Sequence, residues 1–348
     1  MKGIFWLFPF AFSIAFGAEQ APTPPDKNPR PTLQNFRDFN TFTSLDFTYW
    51  KFTAPRLAFG RDGVGVTNTP VPQEIAIGAP GTVFLPNYKY TPGYRVGLGF
   101  RFGTDKAYDL TARYIWFYTN PKRDLSQDHF SGPFLPVNWL ASANLNSSTY
   151  RRANVSFQLH YHLSEVQSGY TFGVSRFLSL RPYMALTNYI LDATYHLRYE
   201  FTDPMDVFEI AIKETASFAW SLGPKIGLDF SWLPTKYFGI YCNVSWTHQA
   251  VQLSMHTKQT NWRPGFGEPL VIQRGKSSQL RSASGTGLEI GPTWDQWFAQ
   301  DRYHLQWRVT WQTSTLPETY VSLLNSNNTD LGLGIELRGV NFRALFEF

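Results

Sequence analysis

The chain has 348 residues, with 31 Lys and Arg against 26 Asp and Glu and a formal charge of +5. Aromatic residues make up 17% and charged residues 16%, yet mean hydropathy is slightly negative, which excludes a helical membrane bundle with several long apolar spans. The one cysteine, Cys242, excludes an intrachain disulfide and a thiolate zinc cluster, and the positive charge forms no basic run, so no nucleic-acid partner is expected.

In chain order, Lys2 precedes an apolar stretch from Ile4 to Phe16 that ends in Ala15, Gly17 and Ala18. That layout predicts a secretory signal peptide over residues 1–18, cleaved after Gly17 or Ala18, because the stretch is shorter than the roughly 20 residues of a spanning helix. Residues 19–42, rich in proline and polar groups from Ala21 to Arg30, read as a periplasmic lead-in with too little apolar surface to fold alone. The remaining 43–348 show period-two alternation. Tyr94, Val96, Leu98, Phe100 and Phe102 alternate with Arg95, Gly97, Gly99 and Arg101. Ala153, Val155, Phe157, Leu159, Tyr161 and Leu163 alternate with Arg152, Asn154, Ser156, Gln158, His160 and His162. The stripe Tyr189 to Tyr199 opposes Asn188, Asp192, Thr194, His196 and Arg198, and the stripe Phe218 to Trp232 opposes Ser217, Lys225, Gly227 and Asp229. Tyr303, Leu305, Trp307, Val309 and Trp311 oppose His304, Gln306, Arg308, Thr310 and Gln312.

The apolar stripe of every segment is expected to face lipid and the other stripe water, in an all-β, transmembrane antiparallel β-barrel. A soluble sandwich also alternates, but it uses shorter strands and lacks Trp and Tyr clustered at strand ends. Short turns near Gly103–Lys106, Val174–Phe177, Pro234–Lys236 and Ala299–Arg302 alternate with long links over 56–81, 119–149, 201–214, 255–278 and 314–328. This predicts ten strands, short periplasmic turns and long extracellular loops, with twelve or more strands if long segments split into hairpins. The apolar parity flips around Arg338 to Val340, which is read as a bulge at Gly339. The closing alternation Phe342, Ala344, Phe346, Phe348 predicts a strand read by barrel-assembly machinery.

The segment Leu45-Asp46-Phe47-Thr48-Tyr49-Trp50-Lys51, the block from Tyr90 to Phe100 followed by Tyr114-Ile115-Trp116-Phe117, and Leu180-Arg181-Pro182-Tyr183 resemble the Legionella-type major outer membrane protein family. These are pore-forming barrels that also occur in chlamydia-related bacteria, and the resemblance covers most of the mature chain. It implies a porin-like function, without the disulfide-linked envelope network of cysteine-rich chlamydial porins.

If the wet faces line a lumen, the pore-lining charges are Arg95, Arg101, Arg113, Arg152, Arg198, Lys225, Arg308 and Arg338 against Asp109, Asp192, Asp229, Glu289, Asp295, Asp330 and Glu336. Eight against seven is nearly balanced and predicts passive diffusion of ions and small hydrophilic solutes with low selectivity. For any one of these residues, simple solvation of the wall is an equal reading. The link 119–149 carries Phe130, Phe134, Leu135, Val137, Trp139 and Leu140, so it either enters the lumen or packs among the outer loops. Catalysis is not expected: His162 and Ser164 imitate a lipase spacing, but parity turns both toward the lumen and no third member is present. No metal or cofactor is expected, since His160 and His162 lack further ligands at defined spacing. The competing function is an adhesin or structural barrel acting through its loops. Outer-membrane lipid and small solutes are the expected partners, and self-association is left open.

Overall fold

A computed structural model describes residues 39–54, 57–62, 82–103, 107–129, 134–136, 149–202, 205–298, 303–321 and 332–348. The expected signal peptide and residues 19–38 lie outside the described residues. Ten long strands follow: β1 (Phe39–Thr53), β2 (Tyr90–Phe102), β3 (Tyr108–Thr119), β4 (Thr149–Tyr170), β5 (Leu178–Thr202), β6 (Phe208–Trp232), β7 (Phe238–Trp262), β8 (Leu270–Phe298), β9 (Tyr303–Val321) and β10 (Gly332–Glu347). The first strand thus begins at Phe39, inside the expected lead-in, and Phe39 to Phe42 belong to the barrel. Each strand pairs antiparallel with the next, and β10 pairs back onto β1 from Phe42 opposite Glu347 to Thr53 opposite Glu336. The sheet therefore closes into a barrel with both of its ends at one rim, where the Thr41 N–H donates to the Phe348 carbonyl at 3.1 Å.

The strand ends that the short links join lie at that rim, called the lower rim below. At the upper rim two of the expected long links, 201–214 and 255–278, are shorter than the sequence suggests, because β5, β6, β7 and β8 run for 25, 25, 25 and 29 residues. A strand of 25 residues tilted near 45° rises about 55–60 Å, roughly twice the 30 Å of bilayer hydrocarbon. The barrel must therefore project well beyond the membrane.

The direction of amphipathicity changes along the strands. In the lower section the outward positions are apolar and exposed: Leu45, Phe47 and Tyr49 on β1, Val96 and Leu98 on β2, Met184 and Leu186 on β5, Phe218 to Trp232 on β6, and Trp307, Val309 and Trp311 on β9. Aromatic residues mark both edges of this band, with Tyr49, Tyr90, Trp246 and Trp311 above and Phe102, Tyr108, Trp232, Trp294 and Tyr303 below, as interfacial girdles do. In the upper section the sense reverses. Ala153, Val155, Phe157, Leu159 and Tyr161 of β4 and Tyr189, Leu191, Ala193, Tyr195, Leu197 and Tyr199 of β5 point inward and are buried. Their alternating partners Arg152, Ser156, Gln158, Asp192 and His196 point outward.

This corrects the expectation that every apolar stripe faces lipid. Above the bilayer a barrel is bathed by water, so its hydrophobic stripe must turn to the interior, as in a soluble protein. The parity flip near Gly339 has the same origin. The register of β10 is unbroken there against both β1 and β9, so no bulge exists: Ile335 and Leu337 enter the upper core while Val340, Phe342 and Phe346 face lipid on the opposite parity.

Part of the first upper link, Leu57, Phe59 and Phe84, joins this core. Gly60–Asp62 pairs between Thr82–Phe84 and Phe134–Pro136 in a small separate sheet. The described part of the link 119–149 also adds Lys122–Ser126 to the wall beside β4, with Leu125 in the core.

Candidate functional site

The lower section encloses a polar chamber whose charged groups join neighbouring strands and also bridge strands that are not neighbours. Arg95 of β2 reaches Asp46 of β1 at 3.2 Å, Glu289 of β8 at 3.5 Å and Gln312 of β9 at 2.8 Å. Arg181 of β5 meets Asp109 of β3 and Asp229 of β6, donating through Nε to Asp109 at 2.6 Å. Lys225 of β6 meets Glu165 of β4 at 2.7 Å, and Arg113 lies 3.7 Å from the same carboxylate. Asp229 also accepts from Tyr241 at 2.5 Å and from Asn243 at 2.8 Å. Near the lower rim His304 lies between Asp295, at 2.7 Å, and Glu347, at 3.3 Å, while Arg101 meets Glu347 at 3.1 Å.

Parity explains why these groups are inward. Asp46 stands between outward Leu45 and Phe47, Arg181 between Leu180 and Pro182, and Arg343 between Phe342 and Ala344. Small residues make room for the long side chains: a Cβ on Gly169 would lie 2.7 Å from the Arg181 guanidinium, and one on Gly227 would lie 2.3 Å from the Tyr183 ring. These strand glycines therefore admit neighbouring side chains.

Among the described residues, the inner wall of this section carries Arg95, Arg101, Arg113, Arg181, Lys225, Arg308 and Arg343 against Asp46, Asp109, Glu165, Asp229, Glu289, Asp295 and Glu347. The two signs balance, apart from the titratable His304. Of the expected pore-lining charges, Arg95, Arg101, Arg113, Lys225, Arg308, Asp109, Asp229, Glu289 and Asp295 face this interior. Arg152, Asp192, Arg198 and Glu336 do not. They lie on the outer face of the upper section, where Arg152 pairs with Asp124, Arg198 with Glu200 at 2.9 Å, and Glu336 accepts from Thr53 and Thr313. Arg338 faces outward as well, and Asp330 lies outside the described residues. Sequence reasoning missed Asp46, Glu165, Arg181, Arg343 and Glu347, although the apolar neighbours of Asp46, Arg181 and Arg343 signal an inward position.

Above the chamber lies a belt of neutral polar groups. The Gln249 amide donates to Thr187 at 2.6 Å and accepts from Ser221 at 3.3 Å, and the Trp50 indole donates to Asn341 at 2.7 Å. A cavity of about 110 Å³ sits at this level, with Arg95, Glu165, Lys225 and Glu289 on its polar side and Trp50, Tyr161, Tyr189, Leu316 and Leu337 on its apolar side. It has room for several waters. Beyond it the apolar core fills the barrel: Phe52 of β1 stacks on Phe157 of β4 at 5.3 Å between strands that are not wall neighbours, and the Tyr199 hydroxyl donates to the Phe59 carbonyl. Passage through the described residues is therefore closed in this conformation.

His160 and His162 point outward, a correction to their expected lumen position. The Tyr114 hydroxyl lies 2.6 Å from His162 Nδ1, and no bond joins His162 to Ser164, so this pair is not a nucleophile with its base. No group of three or more His, Cys, Asp or Glu able to hold a metal is present among the described residues.

Comparison with solved structures finds outer-membrane barrels. The outer membrane protease OmpT from Escherichia coli aligns with a TM-score of 0.42 at 9% identity, covering 90% of this chain and 99% of that one. A Pseudomonas aeruginosa FadL homologue gives 0.29 at 8% identity over 89% and 90% of the two chains. The toluene transporter TodX of Pseudomonas putida gives 0.27 at 8% identity over 91% of each. No curated protein matches the sequence. The family model of the Legionella pneumophila major outer membrane protein precursor matches residues 66–329, most of the barrel. A closed antiparallel barrel with a girdled apolar exterior, matched over that length, is an outer-membrane protein, and the chain belongs to the Legionella major outer membrane protein family.

Proposed function

We propose that the barrel is an outer-membrane channel for ions and small hydrophilic solutes whose outer end is closed at rest by the apolar core. The observation that carries this reading is the polar, charge-balanced interior of the membrane section, which ends in a cavity with room for several waters beside Trp50 and Tyr189. A bilayer-embedded barrel with no solute to admit gains nothing from this wall, since desolvated ion pairs are no more stabilising than packed apolar side chains. Balanced signs favour weak ion preference. Opening requires the residues around Trp50, Tyr161, Tyr189 and Leu337 to part. Catalysis has no part in this reading.

Single-channel recording of the refolded barrel in planar bilayers tests it. Brief steps with a reversal potential near zero in a salt gradient are expected, and Tyr189→Ala with Leu337→Ala should lengthen the open times. Silence from both wild type and the double variant, each folded by circular dichroism, would refute the channel. A second reading is favoured by the filled upper section: a barrel that holds its outer loops rigidly above the membrane for adhesion or envelope structure. That reading predicts silence.

A further inference from the structure

One feature of the outer wall serves neither the chamber nor the core. Lys51 of β1 and Arg338 of β10 are register partners, and both point outward. Like charges placed directly opposite on a sheet are destabilising. Neither cation has an ion pair or hydrogen bond to any described residue, and Nε of Arg338 is buried without an acceptor. The nearest acid along β10, Glu336, is engaged by Thr53 at 3.3 Å and Thr313 at 3.2 Å.

The two cations stand directly above the upper aromatic girdle. Tyr49, two residues below Lys51, stacks on Tyr90 at 5.5 Å, and Val340, two residues below Arg338, pairs with the exposed Trp311. Girdle aromatics mark the headgroup level, so Lys51 and Arg338 lie at the height of lipid phosphates. Beside Lys51 opens a cavity of about 430 Å³, whose wall also includes Tyr88 and a further cation, Arg123. Lower-rim turns that are short, as periplasmic turns are, make this the outer leaflet.

We propose that Lys51 and Arg338 clamp a phosphate of an outer-leaflet glycolipid, with the adjoining cavity taking part of its sugar headgroup. The phosphate oxygens supply the acceptors that both side chains lack, and the negative charge removes the repulsion across the β1 to β10 seam. This inference does not depend on the barrel conducting.

The full chain, reconstituted in phosphatidylcholine nanodiscs doped with either phosphorylated or dephosphorylated lipid A, provides the test, read as lipid retained in native mass spectra. Phosphorylated lipid A should bind about tenfold more tightly than the dephosphorylated form. The Lys51→Gln, Arg338→Gln double variant should lose that preference, while the charge-preserving pair Lys51→Arg, Arg338→Lys and the control Arg274→Gln should keep it. Folding of each variant is checked by heat-dependent gel mobility. Equal binding of the two lipids by wild type, or a preference that survives in the double Gln variant, would overturn the clamp. Displacement of the lipid by millimolar inorganic phosphate would also overturn it, by showing a site for the free ion.

Discussion

The lower and upper halves of this barrel use one strand pattern with opposite solvents. Below the girdle formed by Tyr49, Tyr90 and Trp311, lipid covers apolar side chains and the interior is ionic. Above it, water covers polar side chains and the interior is a hydrophobic core of stacked aromatics. The same alternation satisfies both because a strand specifies which side chains share a face, while the surroundings decide which face is outer.

The largest break in this comparison is expected in the chamber. Arg95→Met leaves Asp46 and Glu289 without a principal counter-charge, and loss of one partner from a buried pair costs about 3–5 kcal/mol. Urea unfolding in detergent micelles should show that loss, and replacement of Arg95, Asp46 and Glu289 together by apolar residues should recover most of it. In the upper half Phe157→Ala removes the ring stacked on Phe52, with an expected cost of about 3–4 kcal/mol in the same assay. An arginine placed on each outer face sharpens the contrast. Phe47→Arg puts a charge in the lipid band and should cost about 2–4 kcal/mol, whereas Thr194→Arg on the wet outer face of β5 should stay within about 0.5 kcal/mol.

A further effect is a pH dependence. Burial in the upper core lowers the Lys213 ammonium to about 8 from 10.5, on a side chain with no exposed surface. Between those two values the unfolded chain binds more protons than the folded one, so stability rises with pH across that window. The gain is on the order of 2 kcal/mol and should vanish in Lys213→Met. Unfolding midpoints of wild type and variant at pH 7 and pH 10 check this, and a flat wild-type profile would refute it.

Strand existence, the count of ten and the short lower turns were legible because period-two alternation and turn residues are local signals. The sense of the alternation was not. Ala153 to Tyr161 and Leu98 to Phe102 look alike in sequence, yet one set lines a core and the other meets lipid, since parity carries no information on which solvent lies outside. That ambiguity misplaced Arg152, Asp192, Arg198 and Glu336. A local cue existed at Gly339, where the flip marks the membrane boundary. The ion pairs were illegible for another reason: Arg95 with Glu289 and Lys225 with Glu165 join strands that do not pair with each other in the wall.

The seam between β1 and β10 also has a kinetic consequence. Its twelve ladder pairs join residues such as Trp50 and Gly339, and across it the Trp50 indole donates to Asn341, 291 positions away. Closing a loop of that length carries an entropic cost of about 5 kcal/mol before the first pair forms, and the seam cannot zip until the strands between are in place. Folding should therefore end in one late, cooperative step, with two unpaired strand edges open to wrong partners until it occurs. Once zipped, the sheet has no terminal strand from which to peel, and unfolding must begin by rupturing a ladder in mid-sheet, which gives such a molecule a long lifetime even where its equilibrium stability is modest.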